Sequence, residues 1–236
     1  MDIHQLKDLI DTIKALPKPE VPEPTMFSIG GRGYFENPTT DILAFFCNSE
    51  EIHGLNQLVN EALFDVVCKI TSDNKINNIS DFHSTSEPQR EVPTKTRSRI
   101  DLLIEGNEWV MVIENKIFHD QNNPFKDYED FIISAQDDKF KDKIPIFIVL
   151  SPDGSAPQGW LPVSYAEFLL SLKLKLSDAF INQPLNKWLI LLREFILHME
   201  SIVSEPNIAL ETKSFILSHL AEIKEVENIK NKTIKA

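Results

Sequence analysis

The chain has 236 residues, 36 acidic and 24 basic, giving a formal net charge of −12. With 42 % apolar and 25 % charged residues it has ordinary globular composition, and one domain of this length buries roughly 70 % of its unfolded surface, so neither a metal nor a disulfide is needed for folding. The acidity excludes an indiscriminate basic coat for nucleic acid, but not a local basic groove.

Ile3, Leu6, Leu9, Ile10 and Ile13 are spaced as one helical face over 3–15. This N-terminus is amphipathic and acidic, unlike a signal peptide. PKPEVPEP (17–24) has four prolines in eight residues and predicts an extended linker. GGRGYF (30–35) reads as a turn. It lacks the GK[ST] ending of a phosphate loop. ENPTTDILAFFCN (36–48) predicts a helix capped by Asn37 with Pro38 at its first position. A second amphipathic helix is expected over 53–70, followed by a polar, irregular stretch over 71–98.

The centre of the chain differs. RIDLLIEG (99–106) and EWVMVIENKI (108–117) are apolar, β-branched runs, and Gly106-Asn107 between them reads as the turn of a β-hairpin. A helix is expected over 126–142 and a buried strand at IPIFIVLSP (144–152). Further helices are expected over 164–175, 184–203 and 207–230. One sheet with helices on its faces fits this order. No apolar run approaches the roughly 20 residues of a membrane span. Cys47 and Cys68 read as reduced core residues, which suits the cytoplasm. The six histidines lack HExxH spacing, so no zinc site is expected.

Asp101, Glu114 and Lys116 are the anomalous residues of the hairpin. With Gly106-Asn107 as the turn, paired residue numbers sum to 213. Asp101 then pairs with Val112, and Glu114 is its diagonal neighbour on the same face, roughly 7–8 Å away. Lys116 shares that face. Two buried carboxylates repel each other, and a divalent cation removes that cost. Asp and Glu oxygens suit Mg²⁺ or Mn²⁺, with substrate phosphate completing the shell. Lys116 would orient water or stabilise the phosphorane; two nearby carboxylates favour its charged form and argue against a free general base. Taken alone, the triplet also fits a surface ion-pair cluster at a sheet edge.

The pattern Asp101–x12–Glu114-Asn115-Lys116 on consecutive strands resembles the active site of the PD-(D/E)XK, or restriction-endonuclease-like, nuclease superfamily. GYFENPTTDILAFF, HGLNQL, RIDLLIEGNEWVMVIENKI, IPIFIVLSPDG and WLPVSYAEF look like successive landmarks of one bacterial branch of it, over about 26–200. The resemblance implies an α/β fold with an αβββαβ core, a central mixed sheet flanked by helices, and extra C-terminal helices. It also implies a first strand within 85–96 and a glutamate on the first core helix, here Glu36. One departure stands out: the branch's usual glutamine four residues before a tyrosine would fall at position 124, which is proline, and Gln121 lies one turn early.

The expected organisation is an N-terminal helix and linker (1–25), a nuclease-like domain (26–200) and a helical extension packed on that domain (201–236). The expected activity is Mg²⁺- (or Mn²⁺-) dependent phosphodiester hydrolysis, with DNA as the expected substrate. Asp101, Glu114 and Glu36 are the candidate metal ligands and Lys116 the catalytic cation. Arg97, Arg99 and Gln121 are candidate phosphate contacts, in a basic stretch that also holds Arg90 and Lys95. A homodimer is compatible with this reading. The alternative is a non-catalytic nucleic-acid- or protein-binding module on the same scaffold.

Overall fold

The computed structural model describes residues 3–18, 23–30, 36–117, 123–133, 139–203 and 208–234. In chain order the elements are α1 (Ile3–Ala15), α2 (Met26–Gly30), α3 (Glu36–Cys47), α4 (Leu58–Ile70), α5 (Asn74–Asn77), β1 (Gln89–Pro93), β2 (Arg99–Glu105), β3 (Trp109–Asn115), α6 (Phe125–Ile133), β4 (Ile144–Ser151), β5 (Leu161–Ser164), α7 (Tyr165–Asn182), α8 (Lys187–Val203), α9 (Leu210–Ser218) and α10 (Leu220–Ile234). The chain divides into two compact units, Pro24–Ser204 and a second formed by Met1–Glu23 with Glu205–Ala236.

The larger unit is built on one five-stranded sheet in the order β1-β2-β3-β4-β5. Short connections make β1, β2 and β3 antiparallel neighbours. The segment holding α6 carries the chain across one face, so β4 returns parallel to β3, and β5 is parallel to β4. A continuous apolar run such as Ile146–Leu150 suits a strand covered on both sides. Leu102, Ile104, Met111, Ile113, Ile146, Ile148 and Leu150 pack with side chains of α3, α4, α7 and α8. Val110, Val112, Phe147 and Val149 pack with Tyr128 and Ile132 of α6 and with Trp160. With α4 and α5 inserted after α3, the elements α3, β1, β2, β3, α6 and β4 follow the αβββαβ order of a mixed α/β, restriction-endonuclease-like fold, and β1 lies inside the window 85–96.

The hairpin register differs from the sequence expectation. Leu102 pairs with Ile113 and Glu105 with Val110, so paired numbers sum to 215, not 213. Gly106 donates its N–H to the Trp109 carbonyl at 2.9 Å, and the turn is therefore Asn107-Glu108. Gly106 serves a different purpose from turn formation. A Cβ there would lie 2.2 Å from the Trp109 ring, so the glycine makes room for that indole. The register shift of two preserves side-chain parity.

Other boundaries move for local reasons. α3 begins at Glu36, so Asn37 lies inside the first turn instead of capping it, and Pro38 sits where no intrahelical N–H bond is required. The helix expected from residue 53 begins at Leu58, because Gly54 (φ 64°) and Asn56 (φ 51°) adopt left-handed backbone. β5, four residues including Pro162, has too little apolar pattern to stand out from the sequence. Of the helix expected over 126–142, α6 covers Phe125–Ile133; residues 139–142 form turns, and 134–138 lie outside the described residues. Residues 19–22 of the expected linker fall outside them too, as do 31–35 of the turn expected over 30–35, whose Gly30 ends α2.

In the smaller unit, Leu9 is the buried anchor of α1. The Thr212 hydroxyl donates to the Pro17 carbonyl at 3.1 Å. The helix expected over 207–230 is divided at His219, whose N–H returns to the Phe215 and Ile216 carbonyls.

Candidate active site

The candidate residues gather where β2 and β3 part. The ladder between the two strands ends at Leu102–Ile113, and one step further the same count sets Asp101 opposite Glu114. There the Asp101 side chain replaces a main-chain acceptor: its Oδ2 takes the Asn115 N–H at 2.9 Å. Glu114 is 1 % exposed. Its Oε1 accepts from the Asn123 amide and lies 2.8 Å from Lys116 Nζ. Among the described residues, its Oε2 is buried with no hydrogen-bond donor.

The electrostatics follow from this crowding. Burial first, and the Asp101 charge second, push the Glu114 carboxyl up to about 8. Burial also raises Asp101, against the opposing pull of the Asn115 N–H and of Lys116. The two carboxyls titrate together, and the pair holds a proton above the ordinary carboxylate range. Lys116, with a side chain only 12 % exposed, is disfavoured as a cation by burial, yet Glu114, Asp101 and Glu36 outweigh this and raise its pKa.

Glu36 approaches from the first turn of α3 and accepts the Ile117 N–H on Oε1 at 2.9 Å. Its charge is felt at Lys116. The three candidate carboxylates do not close into one cluster: among the described residues, no group of three or more His, Cys, Asp or Glu side chains is placed to hold a metal ion. The tight pair is Asp101 and Glu114. That pair still fits Mg²⁺, which commonly keeps several waters and takes only one or two protein carboxylates together with substrate phosphate. The buried Glu114 Oε2, with no donor among the described residues, is an acceptor suited to a cation.

The basic stretch separates into two kinds of residue. Arg90 is occupied within the fold: its guanidinium donates to Asp41 at 2.8 Å, to the Asn37 carbonyl at 3.2 Å and to the Asp101 carbonyl. Arg97, with left-handed φ of 71°, is exposed in the turn between β1 and β2. Arg99 is also exposed and lies 3.5 Å from Glu91. The Asp127 carboxylate fastens this turn to α6 by accepting from the Thr94 and Thr96 hydroxyls. Gln121 lies outside the described residues.

Sequence reasoning passed over Asn115, Thr40, Tyr165 and Asn123. Asn115 had a signal, since a polar residue between Glu114 and Lys116 must point to the opposite face of a buried strand. It is 0 % exposed, donates from Nδ2 to Thr40 Oγ1 at 2.7 Å and accepts the Tyr165 hydroxyl on Oδ1. Asn123 had none, because its approach to Glu114 depends on how the chain leaves β3.

A family model of the PD-(D/E)XK nuclease superfamily matches residues 24–196. The chain belongs to that superfamily. No curated protein and no solved structure matches it. As a PD-(D/E)XK nuclease-superfamily chain it carries a nuclease-like fold, and nucleic acid is the substrate class that this membership implies. Among the described residues, no helix is long and apolar enough to cross a membrane.

Proposed function

We propose that this PD-(D/E)XK protein is a metal-dependent nuclease that hydrolyses phosphodiester bonds in DNA. The observation that carries the reading is the buried Glu114 Oε2, which has no donor among the described residues although it lies in a site already holding Asp101 and a buried cation. Asp101 and Glu114 would hold Mg²⁺ or Mn²⁺, with Glu36 as the third acidic group of the site. The ion, when bound, would polarise the phosphodiester and lower the pKa of a bound water.

The protein's own residues supply orientation and charge. Lys116 keeps its proton in this acidic surrounding, so it acts as a donor to water or to a phosphate oxygen and stabilises negative charge developing on the phosphorane. Main-chain hydrogen bonds fix Asp101 and Glu36 before substrate arrives. Arg97 and Arg99 would contact phosphates flanking the scissile bond.

The test is cleavage of single- and double-stranded DNA and RNA in Mg²⁺ or Mn²⁺, beside Glu114→Ala and Lys116→Ala. Metal-dependent cleavage of DNA lost in both variants supports the assignment. Cleavage that survives both substitutions overturns it. Nucleic-acid binding without cleavage or metal uptake would instead identify a binding module.

A further inference from the structure

Asn115 does more than separate Glu114 from Lys116. Its two amide ends reach two helices on the far face of the sheet, Thr40 of α3 and Tyr165 at the start of α7. Thr40 passes the connection on, donating its hydroxyl to the Glu36 carbonyl at 2.8 Å. Thr40 and Tyr165 are each 1 % exposed. An apolar set of similar shape would fill this space at little cost, because replacing both partners of a buried hydrogen bond is nearly neutral. The apolar alternative is in use one step back along the strand, where Ile113 and Met111 pack against the same helices. What the polar set adds is direction: it admits one height of α3 relative to the end of β3.

That height decides where Glu36 stands. Its carboxylate reaches the Ile117 N–H, two residues past Asn115, and its charge acts on Lys116. We propose that Asn115, Thr40 and Tyr165 form a positioning network that holds Glu36 within reach of the metal site. The proposal rests on the metal-dependent nuclease reading and adds to it three residues that touch neither metal nor substrate.

The test uses the full chain and Mn²⁺ alone as the calorimetric probe, with DNA cleavage measured in parallel. Thr40→Val removes the bridging hydroxyl at nearly constant volume; Thr40→Ser keeps it. Thr40→Val is expected to weaken Mn²⁺ binding by about tenfold or more and to lower kcat with little change in KM for DNA. Thr40→Ser restores both. In a Glu36→Gln background the Thr40→Val loss disappears, which a purely structural role would not produce. Tyr165→Phe, which loses one oxygen and keeps the ring, shows the same pattern and carries the test where Thr40→Val does not fold. Wild-type protein that takes up Mn²⁺ and cleaves DNA, with Thr40→Val and Tyr165→Phe unchanged, overturns the network alone. Wild-type protein that does neither ends the nuclease reading and the network with it.

Discussion

The side-chain carboxylate of Glu36 accepts the main-chain N–H of Ile117 at 2.9 Å, across 81 residues of sequence. The contact uses an oxygen atom, whereas the proposed role in catalysis uses the charge, and the two can be separated. Glu36→Gln keeps an acceptor at the same place. It should unfold at the wild-type midpoint while losing about tenfold in Mn²⁺ affinity. Glu36→Ala leaves the Ile117 N–H without that acceptor and should also lose about 1–3 kcal/mol of stability. Denaturant titration beside Mn²⁺ calorimetry checks both. Equal metal affinity in Glu36→Gln and wild type would contradict the role.

Glu114 makes the metal-free protein sensitive to pH in a direction unusual for a carboxylate. Its folded-state pKa is about 8, above the ordinary 4.5. Between these values the folded state binds more protons than the unfolded state, so stability falls as pH rises. Urea unfolding in EDTA should therefore show a decline from about pH 4.5 to about pH 8 that Glu114→Gln flattens. Mn²⁺ affinity should rise over the same window, because binding displaces that proton. A wild-type profile that rises across this window would contradict the assignment.

Arg90 and Arg97 should behave oppositely despite being seven positions apart. Arg90→Lys cannot reproduce a fork that reaches Asp41 and the Asn37 and Asp101 carbonyls, and should lose about 1.5–3 kcal/mol in denaturant titration. Arg97→Ala should leave stability within about 0.5 kcal/mol.

The salt dependence of DNA binding tells the two apart in function. Removing one phosphate contact at Arg97 should reduce the slope of log K against log salt by about one, uniformly across sequences. The acidic stretch 120–142, with seven acids and three lysines, works against non-specific attachment, so wild-type affinity should be modest and steeply salt-dependent. An unchanged slope for Arg97→Ala would remove the turn between β1 and β2 from the interface.

Gly106→Ala tests the corrected hairpin. The new methyl group would meet the Trp109 ring at 2.2 Å, and Trp109 is fully buried with its indole N–H donating to the Asp81 carbonyl at 2.8 Å. The ring cannot move freely, so a loss of about 1–3 kcal/mol in chemical denaturation is expected. Were Gly106 merely a turn residue without a left-handed φ, alanine would be tolerated.

The apolar, β-branched runs around Asp101 and Glu114 made the hairpin, and the pair within it, readable from sequence. The parity argument survived a wrong turn assignment because both placements keep odd and even residues on their own faces. The distance between the two carboxylates did not survive. It depended on which of two adjacent dipeptides turns the chain, and Gly106 misled because its small size answers a packing need at Trp109. Glu36 was found through resemblance, but the Ile117 N–H that its carboxylate meets lies 81 residues away, and no local pattern encodes that pairing. β5 and Asn123 were unreadable for the same reason: each owes its place to the sheet it meets.

Both borders of the sheet carry a proline, Pro93 in β1 and Pro162 in β5, and the two strands are only five and four residues long. Glu91 adds a left-handed kink at the first border, with φ of 51°. An incoming strand would find a short, interrupted row of donors on either side. The protein is thereby guarded against growing by strand addition into larger aggregates, and copies that associate must do so through helical or loop surfaces, leaving the sheet that carries Asp101 and Glu114 a closed unit.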